Sequence, residues 1–300
     1  MITERINKLK KKKNAVILAH YYVSDDIQAI ADYVGDSFYL SKVAKNTDAE
    51  IIVFCGVSFM GESAAIMNPN KKVLMPDLNA DCAMAHMADI GKIKELRNRY
   101  EDLAVVCYIN STAEIKTYSD VCVTSANAVK VVKNLPHHNI FFIPDGNLGQ
   151  YVKERVPEKN IILNDGYCPI HAVITREDVL NAKEKYPNAK FLVHPECKKE
   201  VLEEADYIGS TSGIINFVAS DESQEYIIGT EIGVLYELKK KNPEKKYYAV
   251  RDCVTCKDMK LVTLEKVLDV LEKETNVVHV SKKISKKAMI PLERMLEIAE

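Results

Sequence analysis

The sequence predicts an α/β protein built as three similar three-layer α/β/α domains with small parallel sheets, set around a pseudo-threefold axis with the active site at the centre. Two observations predict it. Three stretches of the 300-residue chain can be laid over one another: IIVFCGVSFMGESAAIMNPNKKVLMPD (51–77), IFFIPDGNLGQYVKERVPEKNIILND (140–165) and YIIGTEIGVLYELKKKNPEKKYYAVRD (226–252). Each reads as a short apolar strand, a glycine-containing turn, an amphipathic helix, a break at Pro with Asn or Glu and Lys, and a second apolar strand ending in Asp. The terminal residues Asp77, Asp165 and Asp252 are 88 and 87 residues apart. The preceding halves match as well: AVILAHYY, AVVCYINS and KFLVHPEC each lead through a helix to GDS, VTSAN and IGSTSG.

Each unit of about 87 residues therefore holds several strand-helix steps, the crossovers that parallel strands require. The units are expected at 1–101, 102–187 and 188–275, with a tail at 276–300 returning to the first. Strand-turn-helix is a small vocabulary, but six or more anchors at nearly constant spacing exceed what chance similarity gives. Ligands should then bind where the carboxyl ends of the strands meet.

Composition excludes several classes of function. With 41 basic against 43 acidic residues, 47% hydrophobic and 28% charged, the chain shows no electrostatic footprint for nucleic acid. The runs NKLKKKKN and SKKISKKAM read as solvated helix faces. The start, MITERINKLKKKK, has no apolar core of a signal sequence, and no window holds about 18 uncharged apolar residues. A cytoplasmic protein with no membrane partner is expected. Eight cysteines, irregularly spaced, do not form a disulfide framework, so those that matter should be metal ligands or reactive thiols.

The repeat assigns candidate site residues. The first strand of each unit ends in a polar i, i+2 pair, whose side chains share a face: His20 and Tyr22, Tyr108 and Asn110, His194 and Glu196. Both series run at offsets of 88 and 86. Any one pair reads as satisfied polar residues at a strand end; six residues in register at the ligand-facing edge read as a site. Ser37, Ser125 and Thr211, also 88 and 86 apart, each open a helical segment. They are expected first as N-caps and, where such termini converge, as a setting for carboxylates or phosphate. No Walker A or GxGxxG sequence is present.

Cys82 follows Asp77 by five residues and Cys168 follows Asp165 by three. The third unit offers Cys253 and Cys256. Cys256 fits the register better, giving spacings of 86 and 88 along Cys82, Cys168, Cys256. One cysteine per unit at a common axis points to a metal group. Soft thiolates select zinc or iron-sulfur, and a 4Fe-4S cluster on three cysteines leaves one iron open as a Lewis acid. The CVTC at 253–256 supports a rival, a redox CxxC pair or half a zinc site, although no second CxxC exists. Cys55, Cys107, Cys122 and Cys197 lie in or beside apolar segments and read as buried small hydrophobes.

With these residues in view, the chain resembles the quinolinate synthase family over essentially its whole length. The motifs are AHYY followed by DIQAIADYVGDS, then YINSTAEIKTYSDVCVTSANA, DGYCPIHAVIT, FLVHPEC, YIGSTSGII, GTEIGVLYELKKKNPEKK, MKLVTLEKVLDVL and PLERML. The resemblance implies a 4Fe-4S cluster on one cysteine per domain. It selects Cys256, three residues before a Met, and leaves Cys253 as an extra partner whose disulfide with Cys256 would remove a ligand. It also implies a transferase of NAD biosynthesis that condenses iminoaspartate with dihydroxyacetone phosphate to quinolinate, phosphate and two waters, functionally linked to the enzyme supplying iminoaspartate. His20, Tyr22, His194 and Glu196 become acid-base candidates. Ser37, Tyr108, Asn110, Ser125 and Thr211, with His20, His194 and Glu196, become substrate-binding candidates.

Overall fold

A computed structural model describes residues 1–252 and 254–299. It contains three four-stranded sheets, all parallel. In the first, β1 (Ala15–His20), β2 (Tyr33–Gly35), β3 (Ile51–Cys55) and β4 (Lys72–Leu74) lie in the order β2-β1-β3-β4. The second holds β5 (Ala104–Tyr108), β6 (Val121–Val123), β7 (Asn139–Ile143) and β8 (Asn160–Leu163), ordered β6-β5-β7-β8. The third holds β9 (Lys190–Val193), β10 (Tyr207–Ile208), β11 (Glu225–Gly229) and β12 (Lys246–Ala249), ordered β10-β9-β11-β12.

The strands read as unbroken apolar runs, AVILAH or AVVCY, because helices cover both faces of a parallel sheet. The register repeats as closely as the sequence does. Ala19 pairs with Cys55 and Val34, Cys107 with Ile143 and Cys122, and Val193 with Gly229 and Ile208. Offsets of 88 and 86 thus hold through each sheet. The same spacing recurs in Asp32, Asp120 and Asp206, whose carboxylates accept the amides of Ile17, Val105 and Phe191 at 2.7–2.8 Å. Each sheet reverses its winding between its first and third strands, the switch point where α/β sheets bind ligands. The polar pairs stand at the ends of those first strands.

The first two units share one continuous apolar core, whereas the third has two separate clusters, one of which takes in Tyr21 from the first. The tail touches the first unit and then passes over the second. Val277 bridges antiparallel to Leu74 on the edge strand β4, after which the helix Lys282–Ala299 lies against β6, the second unit's helices Ala113–Lys116 and Ala128–Asn134, and the first unit's helix Ser58–Met67. Its buried stripe of Ala288, Leu292, Met295 and Leu296 needs an apolar groove, and the edge of the second sheet supplies one. Two open sheet edges are covered in this way. No helix among the described residues is long and apolar enough to cross a membrane.

Candidate active site

The carboxyl ends of the three sheets surround a cavity of about 260 Å³. His20, Tyr22, Ser37, Tyr108, Asn110, Ser125, His194, Glu196, Thr211, Cys82, Cys168 and Cys256 all line it. Every residue singled out from the repeat faces this one space. Val57, Phe59, Met60, Met84 and Met259 complete an apolar wall.

Equivalent histidines are held alike. His20 Nδ1 accepts the Tyr22 amide at 3.2 Å, and His194 Nδ1 accepts the Glu196 amide at 3.3 Å. With Nδ1 accepting, the ring proton belongs on Nε2, and in His194 this atom donates to Ser125 Oγ at 3.1 Å. Burial pushes both imidazoles down to about 3, the Glu196 charge opposing it. Both rings are therefore neutral at pH 7.

Glu196 receives the Tyr108 hydroxyl on Oε1 at 2.6 Å and has His171 Nδ1 2.6 Å from Oε2. Burial works to raise its pKa, but His194, His171 and these hydrogen bonds outweigh burial and hold the carboxyl below the usual carboxylate range. Tyr22 and Tyr108 are pushed the other way, well above 10, by burial and then by the Glu196 charge, so both phenols keep their protons. Tyr22 Oη lies 2.8 Å from both Thr211 Oγ1 and Thr230 Oγ1, and Thr230 Oγ1 lies 2.8 Å from His171 Nε2. A connected polar network joins Tyr108 through Glu196, His171 and Thr230 to Tyr22 and Thr211, drawing on all three units.

The hydroxyl residues take a different position from the caps expected of them. Asp36 caps the helix Ser37–Asn46 by accepting the Tyr39 amide at 3.0 Å, and Ser210 caps Thr211–Ser220 by accepting Gly213 at 3.1 Å. In the second unit the helix begins only at Ala128, preceded by Asn127, whose Oδ1 takes the Thr124 amide at 2.7 Å. The hydroxyls of Ser37, Ser125 and Thr211 therefore line the cavity without capping a helix, Ser125 bonded to His194 and Thr211 to Tyr22. Asn110 Oδ1 is buried there without a hydrogen-bond partner among the described residues.

Cys82, Cys168 and Cys256 enter from loops of three different units. Cys82 precedes the turn Ala83–His86 and Cys168 the short helix Pro169–Ala172, each in the N-cap position. Every sulfur faces the amide three residues on, that of Ala85, His171 or Met259. Burial raises all three thiols, Cys82 to about 12 and Cys168 further with help from the Glu196 charge. They are protonated without a metal, which would displace the protons on binding. Cys55, Cys107, Cys122 and Cys197 are fully buried. Burial works to raise the Cys107 thiol, but Cys122, the buried Lys116, Ser111 and Ser119 beside it outweigh burial and lower it to about 6. Cys253, and with it the CxxC reading, lies outside the described residues.

Some of the site escaped the sequence reading. Asp145 and Glu231, both fully buried, stand two residues past β7 and β11 at an offset of 86, and the register that found the polar pairs reaches them too. His171 and Thr230 have no such signal, since their equivalents are Ala85 and Met259, and Gly56 and Pro144.

This fold and cavity define an α/β enzyme of pseudo-threefold build, with its chemistry at the meeting point of three sheets. The chain belongs to the quinolinate synthetase A protein family, whose model matches residues 4–297. Curated relatives named quinolinate synthase include that of Fusobacterium nucleatum, 56% identical over 296 residues and 99% of both chains. Others are from a Sulfurihydrogenibium species, 52% identical over 99% of this chain and 98% of its own, and Methanosarcina barkeri, 52% identical over 99% and 97%.

Proposed function

We propose that the chain condenses iminoaspartate with dihydroxyacetone phosphate to form quinolinate, releasing phosphate and two waters, as a transferase of NAD biosynthesis. The carrying observation is one small cavity that receives a cysteine and a polar pair from each of three units. The cytoplasm suits this activity, because its reducing poise keeps thiols free. The enzyme that makes iminoaspartate is then the functional partner.

Cys82, Cys168 and Cys256 fit a 4Fe-4S cluster. Three thiolates on a single tetrahedral zinc stand roughly 3.8 Å apart, yet the set of possible ligand atoms within 4.8 Å of one another comprises Cys168, His171 and Glu196 among the described residues. The three sulfurs do not form such a close set, which suits a multi-atom group better than a single ion. Bound on three cysteines, such a cluster supplies an open iron, a Lewis acid for a substrate oxygen.

The remaining side chains divide by protonation. Glu196 is ionised and offers carboxylate oxygens as proton acceptors. Tyr22 and Tyr108 offer hydrogen bonds from their phenols, and His20 and His194 from Nε2, to oxygens that gain charge. The condensation, the ketose-to-aldose isomerisation and the two dehydrations need proton movement, for which His20, Tyr22, His194 and Glu196 are the acid-base candidates. Ser37, Ser125 and Thr211, with the helix N-termini at Ser37 and Thr211, suit the substrates' carboxylates and phosphate, and Asn110 offers an unsatisfied amide oxygen as acceptor. Anaerobic reconstitution with iron and sulfide, followed by chromatographic assay for quinolinate from the two substrates, tests the reading. A protein that binds zinc but no sulfide contradicts it.

A further inference from the structure

The backbone amides of two cavity cysteines donate to side-chain carboxylates. Cys82 donates to Asp81 Oδ1 at 2.8 Å and Cys256 to Glu231 Oε1 at 3.2 Å, whereas Asp145, which lies near the Cys168 amide, takes the Leu148 amide on Oδ1 and keeps Oδ2 without a partner among the described residues. The acceptors arrive by different routes. Asp81 is the residue before its cysteine and is fixed by Ser58 and by His86 Nε2 at 2.7 Å. Glu231 occupies the place after β11 equivalent to that of Asp145 after β7 and reaches forward 25 residues. In the first unit Val57 holds that place, and the local aspartate substitutes for it.

The Cys82 and Cys256 amides reach carboxylates at non-equivalent chain positions, so the contact is not a by-product of the repeat. Burying carboxyl groups is costly unless they are paired and hydrogen-bonded. Glu231, fully buried, takes the Gly233 amide at 2.6 Å and Lys260 Nζ at 3.1 Å, and the same ammonium donates to the Tyr22 carbonyl at 2.7 Å. This carboxylate thus ties the Cys256 loop to the strand end that carries Tyr22.

We propose that Asp81 and Glu231 are positioning residues that clamp the Cys82 and Cys256 backbones, so that each of these sulfurs faces the cavity and the amide three residues on. With its own N–H fixed on a carboxylate, each of the two loops keeps one orientation toward the bound group. The clamp rests on the cluster reading above. Outer-shell partners of metal ligands are typically worth about 10–100-fold in metal affinity.

The test uses anaerobically reconstituted protein and follows loss of cluster absorbance under a chelator. Asp81→Asn and Glu231→Gln should lose it about 10–100-fold faster than wild type, with a shifted electron paramagnetic resonance spectrum in the reduced state and unchanged apo-protein melting. Asp165→Asn is the control. Asp165 stands three residues before Cys168 with its side chain in solvent, takes no cysteine amide among the described contacts, and its variant should resist chelation as wild type does. If Glu231→Gln does not fold, Asp81→Asn alone decides. Wild-type rates and spectra in the clamp variants, or equal lability in Asp165→Asn, overturn the proposal. Wild type that assembles no iron and sulfide overturns the cluster reading instead.

Discussion

The Tyr108 hydroxyl donates to Glu196 Oε1 across 2.6 Å, joining positions that the repeat does not make equivalent. Tyr108 corresponds to His20 and His194, while Glu196 corresponds to Tyr22 and Asn110. The pseudo-threefold scaffold therefore supplies three similar positions, and different side chains at them make one asymmetric site. If Glu196 is the proton acceptor and Tyr108 its partner, Glu196→Gln should lower kcat by about 10²–10⁴-fold while the iron and sulfide content stays at wild type. Tyr108→Phe should cost less in the Glu196→Gln background than alone, with a coupling of about 0.5–3 kcal/mol in a double-mutant cycle. Additive effects would dissolve the pair.

The two equivalent histidines predict an acid-sensitive fold. Their folded pKa values, about 3, lie below the unfolded value near 6.5. As pH falls below about 6.5 the unfolded chain takes up protons that the folded rings refuse. Stability is full above that pH and is lost as pH drops toward 3, each ring contributing a slope of about 1.4 kcal/mol per pH unit. Urea denaturation of the apo-protein between pH 7 and 4.5 measures it. His20→Gln should flatten the slope; an unchanged slope shows that His20 is not buried in its neutral form.

The tail helix predicts a stability effect far from the cavity. Leu292 is fully buried against the rest of the chain, so Leu292→Ala should destabilise by about 2–5 kcal/mol. Loss of the helix also uncovers β6, so hydrogen exchange should rise at Val121–Val123 before it rises at β1. Uniform exchange across the three sheets would mean that the tail does not protect the second.

Much of this arrangement was legible because a repeat converts spacing into geometry. The offsets of 88 and 86 that align His20, Tyr108 and His194 are also the offsets of the sheet registers, so strand-end residues could be placed together before any coordinates. The cysteine series, 86 then 88, departs from the sheet offsets because loops after the last strands vary in length, yet it still led to the cavity. Two features were not readable. Hydroxyls at helix starts suggested caps, and only the backbone shows that Asp36 and Ser210 take that task. His171 and Thr230 bond across units, and no local pattern marks such a contact.

If Cys82, Cys168 and Cys256, one from each unit, hold one 4Fe-4S cluster, anaerobic iron and acid-labile sulfide analysis of wild type and of Cys82→Ala, Cys168→Ala, Cys256→Ala and Cys253→Ala will separate ligands from bystanders. Wild type and Cys253→Ala should each carry about four irons and four sulfides per chain, and the other three should lose the cluster, as expected for a 4Fe-4S group on three thiolates. Full cluster content in any of those three, or its loss in Cys253→Ala alone, would contradict the assignment.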